Sequence, residues 1–169
     1  MIKKKYNSGF TLVELIVVMT LISMMLSVTL PRLQGALFSG GTKQAFRTII
    51  LKIKALKENA VIDQRTYTLH VDMDNDTLWM SHDAMTEEEL LRERENQVKL
   101  SDGLIIVDVE YPGEGLMSQG EVEIGFYKKG YSDTAIIHLS DGGDEYYSFF
   151  IESFLSGTKL INGYFRFGN

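Results

Sequence analysis

The first residues of the chain combine a basic leader, a glycine and an apolar segment that contains a carboxylate. Lysines occupy positions 3–5, Gly9 ends the leader, and Phe10 begins the apolar segment, whose fifth residue is Glu14. An ordinary secretory signal is cleaved after its apolar core, beside small residues. Here cleavage is expected before the core, between Gly9 and Phe10, which would leave the apolar segment on the mature protein with a free amine at its end.

The apolar segment over residues 10–30 is predicted to be a transmembrane helix. At a rise of 1.5 Å per residue it would be about 31 Å long, close to the roughly 30 Å hydrocarbon core of a bilayer. The lysines before it favour a cytoplasmic N-terminus, so the C-terminal part crosses the membrane. We therefore divide the chain into a leader (residues 1–9), a membrane helix (residues 10–30) and an exported head (residues 31–169).

Glu14 argues against a simple signal anchor, which is the alternative interpretation of this segment. A lone carboxylate inside a membrane helix costs about 3 kcal/mol on translocon scales, and such residues are by default functional. A functional role is therefore expected for Glu14.

Residues 8–32 closely resemble the N-terminus of type IV prepilins and of the pseudopilins of type II secretion. The resemblance implies cleavage after Gly9 by an aspartyl prepilin peptidase and N-methylation of Phe10. It also implies that Glu14 pairs with the Phe10 amine of a neighbouring subunit in the core of a filament. Because pairing offsets the desolvation of two charges only when the geometry is good, such a pair would enforce register as much as stability.

Pro31 follows the apolar run, and Gly35, Gly40 and Gly41 come after it. A proline inside a helix removes a hydrogen bond and clashes with the preceding turn, and each interior glycine costs up to about 1 kcal/mol. These residues fit either a simple helix end or a joint between anchor and head. We favour a joint at Pro31 and Gly35, because pilins commonly carry a proline at this place.

A second helix is predicted after the glycines, with Thr42 as a candidate cap. Its apolar face recurs at spacings of three and four and consists of Phe46, Ile49, Ile50, Ile53, Leu56, Ala60 and Val61. A helix with one apolar stripe needs a partner layer, so this face is expected to pack against a sheet. Basic side chains on the other face fit a phosphate-binding strip or, as we favour, a solvated surface.

After Gln64 the apolar period changes to two, which predicts short strands at residues 66–71, 77–80, 104–110, 121–127, 134–139, 146–154, 159–161 and 164–167. Asn162-Gly163, between the last two, is a strong hairpin signal. Thr86 and Glu89 have the spacing of a capping box, which predicts a polar surface helix over residues 86–95. A long helix followed by about eight strands predicts an α+β fold with an antiparallel sheet packed on the helix.

The head resembles the H-type minor pseudopilins of type II secretion and the related FimT-like minor pilins. The resemblance rests on the helix over residues 46–60, the turn and strand over residues 63–69, and the run over residues 124–157. The stretch over residues 80–96 departs from the family pattern and is interpreted as an insertion. The resemblance implies a non-enzymatic filament subunit near the tip of a periplasmic pseudopilus, where it helps assembly and the export of secreted proteins.

The partners implied by this resemblance are other major and minor pseudopilins, the prepilin peptidase, the inner-membrane secretion platform and, before assembly, the lipid bilayer. Two alternatives stay open. One is a minor type IV pilin that serves pilus assembly, adhesion or DNA uptake. The other is a membrane-anchored binding protein that never polymerises.

Charge is distributed unevenly along the chain. The whole sequence has a formal net charge of −6, and most of its acidic residues follow Arg65. Because phosphate repulsion is independent of sequence, an acidic head disfavours nucleic acid as a partner. The chain has no cysteine, so the head does not rely on disulfides.

The sequence offers little for catalysis or for a cofactor, and we expect neither. His70 and His138 fall in predicted strands, where a structural histidine is expected rather than a base. A calcium loop is approximated by Asp72, Asp74, Asp76 and Asp83, but Thr77 stands where such a loop needs glycine. A plain acidic turn is the favoured interpretation there and also at Asp141, Asp144 and Glu145.

Overall fold

The computed structural model describes residues 12–100, 103–155 and 157–168, and for residues 25–41 it describes the backbone alone. The chain forms two compact units, Met1–Gly40 and Gly41–Asn169. Within the part of the chain that is described, no helix combines the length and the apolar character that crossing a membrane requires.

A single helix, α1 (Leu12–Ile62), occupies the first part of the described chain. It continues through Pro31, Gly35 and Thr42, so the prediction of a separate second helix that begins near Thr42 is wrong. The physical reason is cooperativity, because a new helix needs its own unfavourable nucleus whereas extension adds one hydrogen bond per residue.

Nine strands and a second helix follow among the described residues. They are β1 (Tyr67–Asp72), β2 (Thr77–His82), α2 (Glu87–Glu95), β3 (Val98–Lys99), β4 (Ile105–Tyr111), β5 (Gly115–Met117), β6 (Glu121–Phe126), β7 (Ala135–Ser140), β8 (Tyr146–Ile151) and β9 (Thr158–Asn162). A first sheet has the order β3-β2-β1-β6 and a second sheet the order β5-β4-β7-β8-β9, and every pairing is antiparallel. The predicted α+β fold is confirmed, with two short strands, β3 and β5, in addition.

The core lies between α1 and the inner faces of both sheets. The apolar stripe of α1 is buried as predicted, with Ile53, Leu56 and Ala60 at most 2% exposed. The first sheet contributes Leu69, Val71 and Ile124, and the second contributes Val109, Ile137, Leu139, Phe149 and Ile151. Val61 departs from the prediction, since 43% of it is exposed one residue before the helix ends.

A bulge in β4 reverses part of the predicted core. The alternation of residues 104–110 predicts that Ile105 and Val107 face inward, but the register against β7 shifts between Ile106 and Asp108. An extra residue moves the following side chains to the opposite face. Ile106 and Val109 are therefore buried in the core, and Ile105 is 43% exposed.

The predicted cap of α2 is confirmed, and the predicted terminal hairpin is wrong. The Thr86 side chain accepts from the Glu89 backbone while the Glu89 side chain accepts from the Thr86 backbone, and α2 buries none of its residues.

After Asn162, by contrast, residues 164–167 form no strand. Gly163 N–H donates to Tyr146 O at 2.7 Å, and the chain then leaves the edge of the second sheet.

The helix stripe generates a stability prediction for a soluble fragment that begins near Gln34. Ile53→Asp should destabilise the folded fragment severely, because an unpaired charge in the core costs several kcal/mol. Lys54→Asp should cost about 0.5 kcal/mol, because Lys54 is exposed and loses only its pair with Glu58, 3.6 Å away. Thermal or urea melts of the three fragments measure both changes.

Lys54→Asp is also the matched control, since it places the same carboxylate one residue further along the helix. We expect the parent fragment to be soluble and monomeric. Equal losses from the two substitutions would contradict the orientation of α1 over the sheets.

Candidate functional site

The first turns of α1 present apolar side chains in all directions. Every residue from 12 to 24 is exposed. The large apolar ones are Leu12, Val13, Leu15, Ile16, Val17, Val18, Met19, Leu21, Ile22 and Met24. A helix that is apolar around its whole circumference normally lies inside a protein or a membrane. This surface therefore needs cover that its own residues do not supply.

Glu14 lies in the first turn of α1 with its side chain exposed. The partial positive charge of a helix N-terminus stabilises a carboxylate at such a position. Gly9 and Phe10, where cleavage and methylation are predicted, lie outside the described residues. The pairing of Glu14 with a neighbouring amine stays a prediction.

Pro31 and Gly35 lie within continuous α-helix. The joint predicted at these residues is not visible as a break in secondary structure. The two compact units divide a few residues later, between Gly40 and Gly41. A joint that opens during assembly stays a prediction.

The acidic turns use their carboxylates to bind backbone N–H groups. Asp72 accepts from the backbone of Asp74 and Asn75, and Asp74 accepts from Gly120 N–H at 3.1 Å. Asp76 accepts from Ile106 N–H at 2.7 Å, and Asp83 from Thr66 N–H at 3.1 Å. No cluster of three or more His, Cys, Asp or Glu residues arranged to hold a metal ion occurs within the described ranges.

Three polar residues form a row across the outer face of the second sheet. Asp108 is paired with His138, and His138 with Ser148, on adjacent strands. Although a serine, a histidine and an aspartate could form a catalytic triad, Ser148 Oγ donates to Gly163 O, and His138 Nε2 lies 2.6 Å from Phe165 O. The side chains of the row therefore make their hydrogen bonds with residues 163–165.

His138 is the centre of this row. Its Nδ1 lies 2.6 Å from Asp108 Oδ1, and the ring is fully buried. Both ring nitrogens therefore face an oxygen, Nδ1 that of the Asp108 carboxylate and Nε2 that of the Phe165 carbonyl. Tyr164 O–H donates to the second oxygen of Asp108 at 2.7 Å, and burial, together with this hydrogen bond, raises the pKa of Tyr164.

Residues 163–168 cross the outer face of the second sheet, and we call them the C-terminal strap. Phe165 N–H donates to Ser148 Oγ, and Phe167 N–H donates to Glu110 Oε2 at 3.3 Å. Glu110 also pairs with Arg166 at 3.3 Å. The sequence prediction missed Asp108 and Glu110 as structural groups, although two acids at alternate positions of an apolar strand were a usable signal.

A second polar cluster lies on the outer face of the first sheet. The rings of His70 and Trp79 stack with centroids 3.6 Å apart. His70 Nε2 lies 2.8 Å from Ser81 Oγ, whereas Nδ1 lies 3.2 Å from Glu121 Oε1 without the geometry of a hydrogen bond. Burial lowers the pKa of His70 below its ordinary value of 6.5, against the opposing effects of Glu123 and Glu121.

The same cluster attaches helix α2 to the sheet. Trp79 Nε1–H donates to Glu121 Oε2 at 3.0 Å, and the Arg94 guanidinium lies 6.0 Å from the centre of the Trp79 ring. Arg94 also lies 3.8 Å from Glu121. These contacts hold α2, part of the predicted insertion, on the outer surface.

His70 predicts a pH dependence of folding stability. Its folded pKa is lowered, so the unfolded chain binds more protons as the pH falls below about 6.5. The contribution of neutral His70 is therefore complete above that pH and is lost as the pH falls through the folded pKa. His70→Gln should give a shallower loss of stability between about pH 7 and pH 5, measured by urea melts at each pH.

His82→Gln is the control, because it removes another histidine of the same sheet and leaves His70 in place. It should retain the acid dependence of the parent protein. The assignment fails if His70→Gln and the parent lose stability with the same slope.

Comparison with known proteins finds a sequence motif at the N-terminus and a similar fold for the chain. Residues 4–30 match the prokaryotic N-terminal methylation motif. This match confirms the recognition of a prepilin-type N-terminus. No curated protein matches the sequence.

The fold is similar to that of the minor pseudopilin EpsH from the type II secretion system of Vibrio cholerae. One structure of EpsH aligns with a TM-score of 0.51 and 16% identity, over 72% of this chain and 94% of the EpsH chain. A crystal structure of EpsH aligns with a TM-score of 0.54 and 16% identity, over 75% of this chain and 96% of the EpsH chain. The chain thus combines a prepilin-type N-terminal methylation motif with the fold of a minor pseudopilin.

Proposed function

We propose that this chain is a minor pseudopilin, a structural and non-enzymatic subunit of the periplasmic pseudopilus of a type II secretion system. It acts near the tip, where it helps assembly and the export of secreted proteins. The observation that carries the proposal is an N-terminal helix with an exposed apolar surface and a carboxylate, in a chain whose head has the fold of a minor pseudopilin.

The exposed apolar surface of residues 12–24 supports a role in which this part of the helix lies first in the membrane and later in the filament core. Before assembly it lies in the inner membrane as a single span, with the head in the periplasm. After assembly it packs against equivalent helices in the filament core. Glu14 distinguishes the two, since its carboxylate is costly in lipid, whereas in the filament core it would pair with the Phe10 amine of a neighbouring subunit.

The partners follow from these steps. The prepilin peptidase removes residues 1–9 and the Phe10 amine is methylated. The inner-membrane secretion platform then adds the subunit to major and minor pseudopilins. Retention of Glu14 allows the subunit to lie beneath another one and favours a polymerising protein over an anchored binding protein.

A minor type IV pilin is the rival function. The acidic balance of the residues after Arg65 counts against DNA uptake, because DNA phosphates repel an acidic surface. A deletion strain separates the two functions. Loss of secreted proteins with intact pili supports the pseudopilin, and loss of pili with normal secretion overturns it.

The motif at Gly9 and Phe10 predicts the processing of the mature chain. Protein isolated from membranes of cells with an active prepilin peptidase should begin at Phe10 and carry an N-methyl group. Intact-mass and N-terminal analysis measure both. Gly9→Ile is expected to block cleavage, because it replaces the glycine of the motif with a bulky residue.

A mature chain that begins at Met1 in those cells, or that begins after Leu30, contradicts this processing. A strain without the peptidase provides the control and should contain only the uncleaved chain.

Glu14→Val tests assembly separately from membrane insertion. Insertion should be unchanged or better, because the substitution removes a charge from the apolar segment. Crosslinking to other pseudopilins should fall by about tenfold or more, because loss of one partner leaves the neighbouring amine uncompensated. Carbonate extraction measures insertion, and crosslinking in membranes measures assembly.

Glu58→Val is the matched control, since Glu58 is an exposed carboxylate of the same helix that pairs only with Lys54 among the described ion pairs. It should leave crosslinking and secretion unchanged. Unchanged crosslinking in Glu14→Val would show that Glu14 has no role in assembly.

A further inference from the structure

An exposed apolar surface lies where α1 ends, and we call it the outer apolar patch. Its members are Val61, Ile62, Tyr131, Phe154 and Leu155, of which Phe154 is 87% exposed and Ile62 75% exposed. The ring centroids of Tyr131 and Phe154 lie 6.4 Å apart. A Cβ atom at Gly130 would lie 3.7 Å from Val61, so the helix end and the loops are contiguous. Contiguous apolar patches of this kind mark interaction surfaces on soluble domains.

The loops that carry the patch are held in place by hydrogen bonds. The half-buried Lys57 Nζ donates to the carbonyls of Glu152 and Leu155. Ser132 N–H donates to Ser153 O at 3.0 Å, and Ser153 Oγ–H donates back to Ser132 O at 2.6 Å. Little conformational freedom would be lost when a partner covers loops that are already ordered, which favours binding.

The rim of the patch carries more basic than acidic side chains, in contrast to the rest of the head. Lys128 and Lys129 are exposed and directly precede Gly130, and the exposed Arg65 follows the end of α1. The acidic neighbours are the exposed Asp63, whose carboxylate accepts from Tyr67 O–H, and the half-buried Glu152. The residues after Arg65 carry far more acidic than basic side chains. The patch therefore presents positive charge around an apolar centre, and the surface that complements it is acidic with apolar groups at its centre.

The position of the patch within the head agrees with a contact between subunits. The part of α1 between Gly41 and Val61 is about 30 Å long, so the patch lies at the end of the head remote from the point where the anchor enters.

We propose that the outer apolar patch docks onto the acidic head of another subunit of the filament, with Phe154 as its apolar anchor and Lys128 and Lys129 as its steering charges. The proposal rests on the proposed function and names the surface through which this subunit is joined to its neighbour. Aromatic side chains at the centre of an interface commonly dominate its affinity, whereas charges at the rim set orientation and rate.

The first test replaces Phe154 with a photoreactive phenylalanine analogue in the full chain, in cells that express the complete secretion system. Light should join position 154 to a chain that itself has a prepilin-type N-terminus and an acidic head, identified by mass spectrometry. The same analogue at Leu91, which is 63% exposed on α2, is the control and should give no such product.

The second test measures the two parts of the surface separately. Phe154→Ser and the pair Lys128→Glu with Lys129→Glu should each lower the crosslinking yield by about tenfold or more, with unchanged thermal melts of the head. For both variants the photoreactive analogue is placed at Ile62, a second exposed position of the patch, and the crosslinking yield is measured from there. Leu91→Ser and Lys159→Glu, which change exposed residues elsewhere, should leave the yield unchanged.

Two failures are distinguishable. If crosslinks that depend on Glu14 persist while the patch gives no product, or gives only lipid or a secreted protein, the docking proposal is overturned and the proposed function stands. If the chain enters no filament at all, with or without Glu14, both are overturned.

Discussion

The apolar stripe on residues 45–60 of α1 is the constraint on which the rest of the head depends. Phe46 places its ring 4.6 Å from Tyr147 and 5.3 Å from Phe149 of the second sheet, and the same stripe closes over Leu69 and Val71 of the first. Each fully buried side chain of this size contributes about 1.5–3 kcal/mol. Without the helix, both sheets would expose their inner faces to water.

The outer faces of the sheets are completed by polar contacts. On the first sheet, Trp79 and Glu121 hold Arg94 of α2 above the buried His70. On the second, Ser148, His138 and Glu110 hold the C-terminal strap. Both sets depend on hydrogen-bond geometry, and a buried polar group that loses its partner is costly. These residues therefore specify how α2 and the strap are placed.

The apolar surface of helix α1 is buried in one part of the helix and exposed in another. Residues 45–60 bury theirs within the head, whereas residues 12–24 leave theirs exposed. The proposed role as a filament subunit would require this division, because the head would fold before assembly and the anchor would exchange one apolar environment for another. The outer apolar patch is a further exposed apolar surface, at the C-terminal end of the helix. The basic side chains at its rim favour an acidic protein surface as its partner.

The sequence by itself determined the features that depend on residues close together in the chain. The position of Glu14 after Gly9 and Phe10, the helical stripe around Ile53 and the capping box at Thr86 depend on local spacing, which is legible without a fold. Most strands were also predictable from their alternation. The role of Gly9 and Phe10 was assigned from the motif, and the structure adds nothing to it.

Only the tertiary structure decided where distant polar groups meet. The bulge beside Asp108 reversed the faces of β4, the Asn162-Gly163 turn led to the C-terminal strap instead of a hairpin, and α1 continued through Pro31. In each case the local signal was outweighed by interactions with residues far away in sequence or by the cooperativity of the helix. Asp108 and Phe165 are held by the same histidine although the chain separates them widely, and no local pattern encodes such a contact.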